Sequence, residues 1–218
     1  ANTHGLSDEL VDSFLKIDPN LGTALDLAIK ARENLDDEVE DLLLKLTESQ
    51  FASELQKDFV NFYEPSTVNP YIPLAAKGPW IITTHGAVVH DNGGYGMLGM
   101  GHDPTEVMSS MSESHVMANV MTPSVTHKRF ADTLKREVGH TRGTCPFDRF
   151  ICMNSGSESV TVAMRISDIN ARLMTDQDGP HHGKEIWTVA LDSGFHGRTD
   201  RPASISSSCL PKYQKKLA

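Results

Sequence analysis

Cysteine is scarce in this sequence and long apolar runs are missing, and both shortages narrow what the protein can be. Cys145, Cys152 and Cys209 are three, an odd number, and no two form a CxxC pair. That argues against a disulfide scaffold or a cysteine zinc site and fits a reduced, cytoplasmic protein. No stretch approaches the ~20 apolar residues of a membrane span. No basic segment followed by an apolar one opens the chain as a secretion signal would. Neither a membrane nor a nucleic acid is expected as a partner. What remains is ordinary globular composition, 39% hydrophobic and 22% charged over 218 residues, enough for one large domain or two small ones.

Positive charge is short in one place only. Residues 1–60 hold 14 acids against five bases (Lys16, Lys30, Arg32, Lys45, Lys57), a net of −9, whereas residues 61–218 hold 15 of each. This asymmetry sets a boundary near residue 60 and speaks against nucleic acid on the first segment. Apolar residues in residues 6–60 recur at helical spacing: Leu6, Leu10, Phe14 and Leu15, with Ser7 as a cap, then Ala24, Leu25, Ala28 and Ile29 beyond the break at Asp18-Pro19-Asn20. Leu42, Leu43, Leu44 and Leu46 follow the acidic Asp36-Asp37-Glu38. The segment reads as a helical extension packed on the rest of the protein.

Further on, Asn69-Pro70-Tyr71-Ile72-Pro73 is a rigid extended stretch. Residues 80–84 and 87–90 read as two strands about the turn His85-Gly86. Gly94-Tyr95-Gly96-Met97-Leu98-Gly99 fits GxGxxG, but a turn precedes it, and the next helix is expected at Asp103-Pro104. A dinucleotide fingerprint needs a strand before and a helix opening inside the glycines, so these glycines are read as passage for a crowded backbone. Residues 105–137 are mostly helical in pattern, and Ser124 to Val138 is the clearest helix.

Residues 147–154 read as a buried strand running into Asn154-Ser155-Gly156-Ser157-Glu158-Ser159 and then a helix striped by Val162, Ile166, Ile169 and Leu173. Arg165, Asp168 and Arg172 stand at ion-pair spacing on its other faces. Residues 185–191 read as a second buried strand, ending at Phe195-His196-Gly197-Arg198-Thr199. Strand, helix, strand implies a right-handed parallel βαβ unit with both loops at the carboxyl ends of their strands. The first loop admits two readings. Ser155 and Glu158 form an S-x-x-E capping box; equally, a helix N-terminus with Gly156 and a second hydroxyl on Ser157 suits a phosphate. In the second loop an aromatic ring could stack on a flat cofactor and Arg198 could grip a carboxylate. His181-His182 reads as an exposed turn without metal-site spacing, and the nine Met residues as core filler.

The two loops together resemble the class III pyridoxal-phosphate aminotransferases. Gly94–Gly101 followed by His102-Asp103-Pro104 is similar to that family's Gly-rich segment ending in G-H-x-P, and the three motifs lie in the family's order over about residues 65 to 218. The resemblance implies an α/β fold: a portion of a fold type I large domain with a mostly parallel sheet (residues 124–218), preceded by a small-domain segment (61–123) and the helical extension (1–60). It implies that Ser155, Gly156 and Ser157 hold the phosphate of pyridoxal 5′-phosphate, that Phe195 stacks on its ring with His196 beside it, and that Arg198 binds a substrate carboxylate. It implies amino-donor and 2-oxo-acid substrates and a homodimer with the active site between subunits. The family's Schiff-base lysine and the aspartate that pairs with the pyridine nitrogen follow well after the second loop. Here Ala218 comes 20 residues after Arg198, and Lys212, Lys215 and Lys216 lack the matching context. The chain is therefore expected to be the amino-terminal part of a longer enzyme, inactive alone, with Ala1 in place of Met a sign of trimming. Its expected activity is transfer of an amino group from an amino acid or ω-amino acid to a 2-oxo acid. The alternatives are a truncated non-catalytic protein binding a phosphate ligand or a partner, a related aminomutase, racemase or decarboxylase, and a capped βαβ unit without a ligand.

Overall fold

A computed structural model describes residues 3–60, 71–93, 99–116 and 121–207. The chain divides into two compact units, Ala1–His115 and Val116–Ala218. The first unit contains α1 (Asp8–Leu15), α2 (Pro19–Glu33), α3 (Asp37–Lys45), α4 (Glu48–Gln56), the strands β1 (Pro73–Lys77), β2 (Trp80–Thr83) and β3 (Val88–His90), and α5 (Thr105–Met111). The second contains α6 (Val125–Gly139), α7 (Gly156–Thr175) and α8 (Asp200–Ser204). Mixed helix and sheet make this an α/β protein. Among the described residues, no helix is long and apolar enough to cross a membrane.

In the first unit the expected hairpin forms. β2 and β3 pair antiparallel, with Trp80 opposite His90, Ile81 opposite Val89 and Ile82 opposite Val88. Gly86 sits at φ 80°, the left-handed region this turn requires. β1, hidden to pattern reading inside a proline-rich stretch, adds an antiparallel edge on β2. Pro73 can stand there because an edge strand tolerates a missing N–H.

The N-terminal helices share the sheet's core. Leu21, Ala24 and Ala28 of α2 pack with Trp80, Ile82 and Val88, and Phe14 and Leu25 lie against that cluster. Asp18 caps α2 by accepting the Asn20 N–H at 2.9 Å, with Pro19 in the first turn. Its other oxygen accepts the Trp80 indole N–H at 2.8 Å. A T-x-x-Q capping box, Thr47 with Gln50, starts α4, a pattern written locally in the sequence. Ser7 occupies the N-cap of α1, but its side chain makes no capping bond to the helix backbone.

The Asp18 carboxyl is held below the usual aspartate range, first by the Trp80 indole and then by the Asn20 amide. A depressed native value stabilises the fold above the unfolded pKa, about 3.9, and that contribution fades as pH falls through it toward the native value. The melting temperature of Asp18→Asn should therefore lie below wild type at pH 6, with the gap narrowing as pH falls below about 4. Parallel curves would show that Asp18 does not titrate with folding.

The second unit departs from the expected βαβ pattern in one respect. Its helix is present, and α6 forms over the stretch read as the clearest helix, with Ser124 as its cap accepting the His127 N–H. Residues 147–154 and 185–191, however, are not strands but irregular and exposed, with Trp187 at 81% and Val189 at 90% exposure. Both approach α7: Ile151 lines a hollow of about 310 Å³ with Val162 and Ile166, and Ile186 one of about 370 Å³ with Ile169 and Ala171. A strand exists only through hydrogen bonds to a neighbour, and none runs beside either segment among the described residues. The α7 stripe is likewise uncovered, with Ile166, Ile169 and Leu173 exposed.

Two smaller expectations also change. Met100, Met108, Met111, Met121, Met153 and Met174 are exposed rather than core filler. Asp168 pairs with Arg201 of α8 rather than within its own helix, where Arg172 meets Asp176 instead.

Candidate functional site

α7 opens at the first loop. Ser155 is its N-cap with extended backbone (φ −148°, ψ 158°); its Oγ accepts the Glu158 N–H at 3.2 Å and donates to the Glu158 carboxylate at 3.3 Å. The cap reading of Ser155 and Glu158 therefore holds, although the glutamate takes the serine hydroxyl rather than a backbone N–H. The N–H groups of Gly156 and Ser157 belong to the helix's first positions, which no intrahelical carbonyl reaches. A side chain at Gly156 would meet no atom within 4 Å. Donors without an intrahelical partner, the positive end of a 20-residue helix and open space above Gly156 together fit a phosphate.

The second loop is joined to the first directly. The Arg198 N–H donates to Ser157 Oγ at 3.0 Å, which leaves the hydroxyl's own hydrogen for a further acceptor. Gly197, buried at φ 127°, lies against the same serine: a Cβ there would meet Ser157 Cα and Oγ at 2.9 Å. Thr199 Oγ1 and Thr161 Oγ1 lie 3.1 Å apart one helical turn further along, and the Arg201–Asp168 ion pair follows. Phe195 is 61% exposed, with the Arg198 guanidinium 5.5 Å from its ring centroid. Its ring is thus presented rather than packed, as a stacking platform must be. The His196 N–H donates to Ser206 Oγ at 2.8 Å, while its buried Nε2 has no partner among the described residues.

The structure thus brings Ser155, Gly156, Ser157, Phe195, His196 and Arg198 to one place. No lysine lies in residues 154–159 or 194–199, and Lys212, Lys215 and Lys216 fall outside the described residues, as do Gly94 and Gly96 of the GxGxxG segment. Gly99 of that segment is described and stands in open space, with nothing within 4 Å of a Cβ there; two residues on, Gly101 at φ 74° passes so close to Gly78 that a Cβ would sit 2.8 Å from the Gly78 carbonyl oxygen. Beside it is a polar hollow of about 520 Å³ lined by Asn20, Asp91, Asn92 and His102. Its polar groups bind one another, His102 to Asp91 at 3.1 Å and His90 to Asn92 at 2.6 Å. His181 and His182 occupy an exposed turn, with His182 Nδ1 3.2 Å from the Asp176 carbonyl. Sequence reading missed Thr161, Arg201 and Ser206: they lie outside both motifs, and the last belongs to a serine run that looks like plain loop.

Both loops fall inside a match to a known family. The sequence model of the family described as Aminotransferase class-III matches residues 62–217. Over 75 residues the chain is 36% identical to an acetylornithine aminotransferase of Prochlorococcus marinus subsp. pastoris (strain CCMP1986 / NIES-2087 / MED4), a match covering 34% of this chain and 16% of that relative's length. No solved structure matches the chain. With the family match extending over most of the sequence and both loops inside it, the chain belongs to the class-III aminotransferase family.

Proposed function

We propose that the protein uses pyridoxal 5′-phosphate to transfer an amino group from an amino acid or ω-amino acid to a 2-oxo acid, and that residues 154–159 and 194–199 form one wall of its active site. The observation that carries this reading is the Arg198 N–H to Ser157 Oγ bond, which ties the loop suited to a phosphate to the loop bearing a ring and a cation. Ser157 Oγ, with the free N–H groups of Gly156 and Ser157, would hold the cofactor's phosphate; Ser155 would contribute through the cap that orients this turn. Phe195 would lie against the ring with His196 behind it, and Arg198 would take the substrate carboxylate through paired hydrogen bonds. When bound, the cofactor supplies an electron sink for charge released at the amino-bearing carbon. The lysine that anchors it in this family would come from elsewhere in the protein. A homodimer, as in the family, and a cytoplasmic location, as the three cysteines without a CxxC pair suggest, are part of the same reading.

Absorbance of the intact protein titrated with pyridoxal 5′-phosphate tests this. A cofactor band should appear near the visible edge, and Arg198→Ala should raise KM for a carboxylate-bearing donor roughly tenfold to hundredfold, the worth of a charge-assisted bond. No band in wild type, together with an unchanged KM in the variant, would sink the proposal.

A second reading is favoured by the Ser155 cap, which needs no ligand: the two loops would be a structural joint only. It predicts that pyridoxal 5′-phosphate at a hundredfold excess over any plausible Kd fails to add the ~2.7 kcal/mol of stability that site binding would give.

A further inference from the structure

The segment between Phe195 and Arg198 is gripped at both ends by one hydroxyl. Ser206 is 0% exposed. Its Oγ accepts the His196 N–H at 2.8 Å and points its hydrogen at the Gly197 and Pro202 carbonyls, 2.8 and 2.9 Å away. The Ser207 N–H donates to the Gly194 carbonyl at 2.9 Å and closes the loop behind it. On the opposite side the loop is pinned to α7 at three points on one helical face, Ser157, Thr161 and Asp168. The α7 pins act on Arg198, Thr199 and Arg201. Among the bonds described, the grip on His196 and Gly197 belongs to Ser206.

We propose that Ser206 is a positioning residue for the aminotransferase reaction: by holding His196 N–H and Gly197 C=O it sets the direction in which Phe195 faces the cofactor ring and Arg198 faces the substrate carboxylate. This rests on the reading of the two loops as a cofactor wall. The chemistry requires an oxygen at this position. The half-buried His196 N–H needs an acceptor, and the carbonyls facing the buried hydroxyl need a donor; a hydroxyl is the smallest side-chain group that serves as both. Ser206→Ala removes both roles without adding bulk, leaves that donor unpaired and frees the His196–Gly197 peptides to rotate. Phe195 and Arg198 are the residues on either side of that segment, so both lose their set.

The test uses the intact protein with pyridoxal 5′-phosphate and a carboxylate-bearing amino donor. Ser206→Ala should weaken cofactor binding about tenfold, change the visible-edge circular dichroism of the bound cofactor, and raise donor KM about tenfold while kcat stays within about threefold. Ser206→Thr, which keeps the hydroxyl, should restore the wild-type dichroism. A purely structural role would instead lower the active fraction, and hence kcat, with KM and the dichroic band unchanged; that result overturns the proposal. Should Ser206→Ala fail to fold, the near-isosteric Ser206→Cys decides, and a wild-type band and KM in that variant overturn it equally. Wild-type protein that binds no pyridoxal 5′-phosphate sinks the function and this role together, whereas wild type that binds and a variant that matches it sinks this role alone.

Discussion

Trp80→Ala should unfold the first unit or leave it marginal. The expected loss is about 3–5 kcal/mol, the usual result of deleting a buried large aromatic side chain, against a total of roughly 5–15 kcal/mol for a typical domain. Trp80 earns the upper end because three kinds of contact meet on it. Its faces and edge touch Phe14 at 5.0 Å and His90 at 4.8 Å between ring centroids. Its body fills the cluster of Leu21, Ala24, Ala28, Ile82 and Val88. Its N–H satisfies Asp18, which at the same time caps α2. Removing the ring therefore opens a cavity between α2 and the sheet and takes away an acceptor's partner at a helix end. Trp80→Phe separates the effects: it keeps most of the volume and loses only the N–H, so its penalty should be nearer 1–2 kcal/mol. Urea unfolding followed by far-ultraviolet circular dichroism measures both. Equal midpoints for wild type and Trp80→Ala would mean that α2 and the sheet do not share a core.

Gly197→Ala should remove cofactor binding without a comparable loss of global stability. A residue with a Cβ is strained at φ 127°, at a cost of order 1–3 kcal/mol. The new methyl would also meet the Ser157 backbone at 2.9 Å, and backbone cannot swing aside as a long side chain can. The loop must lift from the start of α7, which breaks the Arg198–Ser157 bond, worth about another 1 kcal/mol. Together these give about 2–4 kcal/mol, or roughly thirtyfold to a thousandfold in Kd for pyridoxal 5′-phosphate. Because the strain can be relieved by opening the loop alone, the melting temperature should move little. Wild-type affinity in this variant would show that the cofactor does not need the two loops in contact.

What could be read in advance followed the reach of the forces involved. The helices were legible because α1, α2, α6 and α7 repeat apolar residues at their own period, and the cap at Ser155, with Glu158 three residues on, is local in sequence. The β2–β3 hairpin was legible for the same reason, with its turn marked by His85-Gly86. β1 was hidden because its proline and alanines carry no strand pattern and it forms only by pairing with β2. Residues 147–154 and 185–191 show the converse: their composition is that of strands, but composition supplies no hydrogen-bonding neighbour. At the site, the two motifs named the residues that converge. The bond between Ser157 and Arg198 spans 41 positions, and the Asp168–Arg201 pair spans 33. Separations of that length leave no periodic trace, so the joint itself had to be seen folded.

The bonds of the clasp over residues 194–207 run between hydroxyls and peptide groups, and its buried hydrocarbon is confined to the small side chains Pro202 and Ala203. Heat capacity and denaturant sensitivity both track the apolar surface uncovered on opening, and here little would be uncovered. The loop could thus open and close many times below the global transition while leaving melting curves and urea slopes unmoved. Its state would be written instead in the exchange of two amide hydrogens, those of His196 and Arg198, each held by a serine oxygen.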